Sequence, residues 1–172
     1  EIQAAAAAHK QEFEKVSAYI FANPELAFTE VKGQQALCEL LENNGFAVTR
    51  GVGGISTSFE AVYDTGKPGK NIAFMAEYDA LPEIGHGCGH NIIGTSSAGA
   101  GVVLKEIMQK HDLGGVLKVI GTPAEERVGG KILMLREGVF KGLDAAMIMH
   151  PTDATIPDDI SFASVNIEYV FH

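Results

Sequence analysis

The chain has 172 residues, of which 46% are hydrophobic and 20% charged, the proportions of a globular domain with room for a sizeable core. A formal net charge of −9, with no cluster of Lys or Arg, excludes the basic face that a nucleic-acid footprint needs. No apolar run approaches the roughly 18 residues of a membrane span, and the run Ala4 to Ala8 is too short for a secretory h-region, so a cytoplasmic protein is expected.

From about Ala4 to Ala22, Phe13, Val16 and Ile20 recur at helical spacing until Asn23-Pro24 stops the pattern. A second helix is predicted to about Asn44, with Val31, Leu37, Leu40 and Leu41 as its buried stripe and Gly45 as the residue that closes it. Cys38 falls in that helix and reads as a buried free thiol. Cys88 is the only other cysteine, and a reducing compartment disfavours a disulfide between them. Phe46 to Arg50 predicts a short strand. Ile55 to Tyr63 and Asn71 to Tyr78 predict longer ones, joined by the turn-rich Asp64 to Lys70.

Further on, Thr95 or Ser96 can cap a helix that runs to about Lys110. Leu117 to Thr122 predicts a strand, and Lys131 to Glu137 a helix ended by Gly138. Ala145 to Met149 is almost continuously apolar and predicts a strand buried on both faces. Strands alternating with helices imply an α/β sheet covered on both sides, with ligands beyond the carboxyl ends of its strands. Asp79, Glu125, Glu126 and His150 all fall just after expected strands. Ser161 to Phe171 alternates as a half-exposed strand does, and the chain stops at His172. The expected organisation is a fragment: residues 1–160 form the N-terminal part of one domain, and 161–172 the first strand of another.

The run His86-Gly-Cys-Gly-His90 places imidazole, thiolate and imidazole at alternate positions. On an extended segment those side chains would share one face, and together they suit zinc or another late first-row divalent metal. Cys88 and His90 are the candidates for ligation. His86 could be a third ligand, a donor behind the ligands, or a loop histidine. Glu125 and Glu126 are adjacent and so point in different directions; one could bind metal while the other serves as general base to a bound water. His150 ends the run Ala-Ala-Met-Ile-Met and is a further candidate ligand. Asp79 could orient a ligand histidine from behind or form a turn before Leu81-Pro82. Gly51 to Gly54 and Gly66 to Lys70 lack the context of a phosphate loop, and Cys88 is poorly placed to act as a nucleophile with His90 as its base.

Four ordered segments carry a resemblance: Ala76-Glu-Tyr-Asp-Ala-Leu-Pro82, His86-Gly-Cys-Gly-His-Asn91, Thr122-Pro-Ala-Glu-Glu126 and Met149-His-Pro151. With Asn23-Pro-Glu-Leu26 they make the chain similar to the zinc-dependent aminoacylase/carboxypeptidase superfamily, in the amidohydrolase branch of hippurate, auxin-conjugate and aminobenzoyl-glutamate hydrolases. The resemblance implies a three-layer α/β/α catalytic domain followed by a lid domain through which two copies pair as a homodimer. It implies two divalent metals, zinc foremost with manganese or cobalt also acceptable, held by Cys88, His90, Glu126 and His150. The metals would hold a bridging water that Glu125 activates as general base. Asp79 matches the aspartate of the superfamily's His-x-Asp motif, and Glu77 stands where that histidine would be. Asn91 replaces the Asp common after Cys-Gly-His in hippurate-type enzymes, which favours aminobenzoyl-glutamate or dipeptide substrates. A last ligand histidine and the lid would lie beyond residue 172, leaving this piece inactive by itself. The alternative is a non-catalytic binding or regulatory module that keeps the metal pocket.

Overall fold

The structure, a computed structural model, describes residues 1–156; the strand expected within 161–172 lies outside them. Five strands form one mixed sheet, β1 (Ala47–Arg50), β2 (Phe59–Asp64), β3 (Lys70–Ala76), β4 (Gly115–Gly121) and β5 (Ala145–Met147). Their spatial order is β1-β2-β4-β3-β5. The β1–β2 and β2–β4 pairs are antiparallel, whereas β3 runs parallel to both β4 and β5. The turn-rich segment after β2 therefore does not make a hairpin, because β4 is seated between β2 and β3. Asp64 Oδ1 accepts the Gly66 N–H at 2.8 Å and starts the turn.

The helices are α1 (Ile2–Ala8), α2 (Lys10–Ala22), α3 (Val31–Asn43), α4 (His90–Lys110), α5 (Glu125–Val128) and α6 (Gly130–Arg136). The first expected helix is thus two, broken at His9. On one sheet face Ile20, Leu37, Leu41, Ala98 and Val102 pack with Phe59, Ala76, Leu117 and Val119. On the other, Ala73 and Ile120 meet Ile55 and Met134 of α6. Neighbouring strand residues (Ala73 against Phe74, Val119 against Ile120) enter opposite clusters, as the strand period of two requires. The layers are helix, sheet and helix, as expected.

Three local expectations fail for tertiary reasons. Val31 is 58% exposed, because in the first turn of α3 the buried face is taken by Gly33 and Gln34 instead. The helix assigned to Thr95 or Ser96 begins instead at His90, where Gly89 adopts φ 83°. A Cβ there would meet Pro151 at 3.0 Å, so glycine serves both the left-handed turn and the close contact. Finally β5 is exposed throughout rather than buried. It pairs only with β3, at the sheet edge, and among the described residues no further strand flanks it.

Candidate metal centre

Strands β3, β4 and β5 are parallel, so their carboxyl ends lie together, and each is followed at once by chemistry-bearing residues. Glu77 and Asp79 follow β3, Glu125 and Glu126 follow β4, and His150 follows β5. The start of α4 adds His90 from the same side. α4 can approach this closely because it carries glycine at position 94, where a Cβ would lie 2.6 Å from the Glu77 carbonyl oxygen.

His90 is the centre of the cluster and is 1% exposed. Its Nδ1 lies 3.0 Å from Asp79 Oδ1. Its Nε2 faces carboxylate oxygens of Glu77 at 3.3 Å, Glu126 at 3.5 Å and Glu125 at 3.9 Å, yet has no hydrogen-bond partner. Asp79 spans two segments, because its Oδ2 also accepts the Glu126 backbone N–H at 3.0 Å. Cys88 Sγ lies 3.4 Å from His150 Nε2, and His150 Nδ1 lies 2.9 Å from the Pro151 carbonyl oxygen. Two sets of potential ligand atoms converge to within 4.8 Å: Cys88, His90 and His150, and Glu77, His90 and Glu125. They share His90.

Electrostatically the cluster is short of positive charge. Burial would raise the Asp79 pKa, but the His90 ring and the Glu126 N–H outweigh it and hold the carboxyl low. Burial would depress His90, yet Asp79 and then Glu77 and Glu126 bring its pKa above the ordinary value. Glu125 is raised, first by burial and then by Glu77. The Cys88 thiol is pushed up to about 12 by burial and the neighbouring Glu126 carboxylate. Among the described residues the one basic side chain ion-paired in the cluster is Lys131, on Glu77. An unpartnered buried imidazole nitrogen, an unpartnered buried Glu126 oxygen and a thiol held neutral by surrounding anions fit a cation-binding site with N, O and S donors.

The expected site residues Asp79, Cys88, His90, Glu125, Glu126 and His150 all fall in this region, with Glu126 near His90 but outside both converging sets. His86 is not with them. Its ring lies 6.5 Å from that of Phe21, 6% exposed, with both nitrogens unpartnered. The shared-face geometry fails because the run is folded: the His86 carbonyl accepts the Gly89 N–H at 3.1 Å, closing a turn just before α4. Asn91 also points away, its Nδ2 donating to Ser17 Oγ at 3.0 Å. Sequence reasoning left Glu77 without a role of its own, although its spacing from Asp79 on one strand face was the available signal. It missed Lys131 and Glu30 altogether. Glu30 is a buried carboxylate whose Oε1 accepts the Ala124 N–H at 2.8 Å.

The chain is similar to several known proteins. The chain is 38% identical over 161 residues to one of the subunits of p-aminobenzoyl-glutamate hydrolase from Escherichia coli, covering 84% of this chain and 33% of the relative. It is 34% identical over 166 residues to Xaa-Arg dipeptidase of Mus musculus, covering 90% and 38%. The chain therefore spans little more than a third of these curated relatives. Among solved structures, a dinuclear metal-binding peptidase from Bacillus subtilis superposes with a TM-score of 0.75 at 26% identity, covering 85% of this chain and 44% of that one. No helix among the described residues is long and apolar enough to cross a membrane. Residues 73–171, which include every member of the cluster, match the family described as Peptidase family M20/M25/M40, and the chain belongs to that family.

Proposed function

We propose that the full-length protein is a metal-dependent amidohydrolase that cleaves the amide bond of an N-acyl amino acid, an aminobenzoyl-glutamate-like amide or a small dipeptide. The observation that carries this reading is the buried His90 Nε2, unpartnered and faced by carboxylate oxygens of Glu77, Glu125 and Glu126 within 3.9 Å. Cys88, His90, Glu126 and His150 are assigned as the residues that hold two divalent ions, zinc foremost, with manganese or cobalt compatible with the same donors. Such ions, when bound, supply Lewis acidity that acidifies water and polarises a carbonyl.

The chain's own residues do the rest. Asp79 holds the Nδ1 side of His90 and so leaves Nε2 available as a donor. Glu126 has the more buried carboxylate and suits ligation, whereas the Glu125 side chain is 41% exposed and can reach water and substrate. Glu125 takes a proton from the attacking water onto a carboxylate oxygen and delivers it to the leaving nitrogen as the C–N bond breaks. Residues 1–160 are assigned to the catalytic domain and 161–172 to the start of a lid domain through which two copies pair. The names of the Escherichia coli and mouse relatives set the first substrates to try.

The test is a panel of N-acyl amino acids, aminobenzoyl-glutamate and dipeptides offered to the full-length protein loaded with zinc or manganese. Hydrolysis is followed by mass spectrometry beside Glu125→Gln. Cleavage that disappears in the variant supports the amidohydrolase and names its substrate class. Metal-loaded protein that cleaves nothing favours a binding module.

A further inference from the structure

We infer that Glu30 is a positioning residue for the acidic pair: its buried carboxylate fixes the turn at Ala124 and with it the direction in which Glu125 and Glu126 leave β4. The inference rests on the metal-dependent reading of the site.

Glu30 is 0% exposed, and burying a carboxylate is costly unless its oxygens are bonded. It immediately precedes α3, but its side chain makes no capping bond to that helix. Glu25 caps α3 instead, its Oε2 accepting the N–H groups of Lys32 and Gly33 at 2.7 and 3.0 Å. The Glu30 side chain crosses to a segment 94 residues away and accepts the Ala124 N–H at 2.8 Å. Its other oxygen, Oε2, is buried with no hydrogen-bond partner. A capping role is therefore absent among the described residues; the Thr57 hydroxyl and the Phe28 backbone also lie beside the carboxylate, but the one hydrogen bond of good geometry runs to the loop that carries the site.

Ala124 needs such a tether. It adopts φ 60°, ψ 38°, the left-handed region that non-glycine residues enter only against a steric penalty. The helix that follows is a single turn of four residues, too short to impose this geometry itself. Both backbone groups of Ala124 are fixed from outside: the N–H by Glu30 and the carbonyl by the Gly130 N–H at 3.1 Å. The Glu126 N–H is then placed on Asp79. The connector between α2 and α3 holds the other strand end too, since the Glu25 carbonyl accepts the Ala80 N–H at 2.8 Å, next to Asp79. One short connector thus bolts together the ends of β3 and β4 from which the site's carboxylates project.

Three variants of the full-length protein separate reach, charge and volume. Glu30→Gln keeps the reach and an acceptor oxygen, Glu30→Asp keeps the charge but withdraws it, and Glu30→Met keeps the volume without an acceptor. Amide exchange of the metal-free protein over residues 122–127 and zinc affinity by competition with a chelating dye are the two readouts. Glu30→Asp and Glu30→Met are expected to speed exchange in that segment about tenfold or more. The same two variants should weaken zinc about tenfold or more, the effect typical of partners behind metal ligands. Glu30→Gln should stay within about threefold of wild type in both. Should Glu30→Met fail to fold, Glu30→Asp carries the test, since it leaves a carboxylate in place. Wild-type exchange in Glu30→Asp overturns the tether, and faster exchange with unchanged zinc affinity overturns the aiming role. Wild-type protein that binds no zinc overturns the functional reading instead, while exchange over 122–127 still decides whether Glu30 holds the turn.

Discussion

His90 Nδ1 lies 3.0 Å from Asp79 Oδ1 while the opposite ring nitrogen, Nε2, is buried without a partner. One face of the imidazole is thus fixed by the protein and the other is held open toward three carboxylates. Asp79 performs a second task with its other oxygen, which accepts the Glu126 N–H. Orientation of the histidine and placement of the acidic pair therefore depend on one carboxylate that is 1% exposed.

Replacing that carboxylate should affect both. Asp79→Asn is expected to weaken zinc retention by about 10–100-fold, the cost usual for losing a partner behind a metal-ligating histidine. Competition with a chelator measures this directly. Zinc affinity equal to wild type would remove Asp79 from the support of the site.

Glu125→Gln should leave metal content intact and lower kcat by about 10²–10⁴-fold, the contribution typical of a positioned general base. Metal analysis and turnover on the same preparation check it together. Loss of metal with loss of turnover would make Glu125 a ligand, an outcome compatible with its grouping with Glu77 and His90.

Cys88→Ser should weaken metal binding, because an alcohol at this position is a poorer soft donor than a thiolate. The thiol is pushed up to about 12 without a cation, so metal binding should displace its proton and be accompanied by proton release. Calorimetry in buffers of differing ionisation enthalpy counts that proton, and Cys88→Ser should release correspondingly less.

Gly94→Ala is a test of the packing that brings α4 to the site. The added Cβ would lie 2.6 Å from the Glu77 carbonyl oxygen and 3.1 Å from Leu37, so either the helix or the end of β3 must move. A loss of about 1–3 kcal/mol is expected, as for other overpacked cores, with a fall in zinc affinity because Glu77 and His90 separate. Chemical denaturation of the metal-free protein gives the first figure.

A pH-dependent term belongs to the helix packing and not to the site. His9 places Nε2 2.7 Å from Glu106 Oε1 and Nδ1 3.1 Å from Glu12 Oε2, tying the α1–α2 junction to α4. The Glu106 bond, against burial and with help from Glu12, raises its pKa above the ordinary 6.5. A raised folded-state value means stabilisation that is complete below the unfolded pKa and is lost as pH rises through the folded one. Both glutamates are partly exposed, so the term is at most about 1 kcal/mol. The difference in melting temperature between wild type and His9→Gln should therefore shrink from about pH 6 to about pH 9. A constant difference would show that the ring contributes packing alone.

Much of this was legible in the residues. Leu37, Leu40 and Leu41 are buried at the spacing that predicts them, and Gly45 takes φ 77° after α3 as a closing residue should. Asp79, Glu125, Glu126 and His150 were marked by standing just past expected strands, and three of those strands prove to be parallel with their carboxyl ends together. These features are local, or follow from one topological rule. The errors have the opposite character. The apolar run Ala145 to Met149 reads as buried, but its first three residues form an exposed edge, because hydrophobicity says that a segment seeks cover and not whether a neighbour supplies it. The alternation from His86 to His90 reads as one face, but the chain turns between them.

Donor types, their order and the strand ends from which they project can be read from the residues alone, because side-chain chemistry and short-range periodicity are written in adjacent positions. Which donors meet depends instead on how the folded chain packs. His90 is oriented by a residue 11 positions away, Cys88 meets His150 across 62, and Glu30 holds the turn before the acidic pair across 94. Such contacts depend on where the sheet brings separate segments together, and no local pattern encodes that distance.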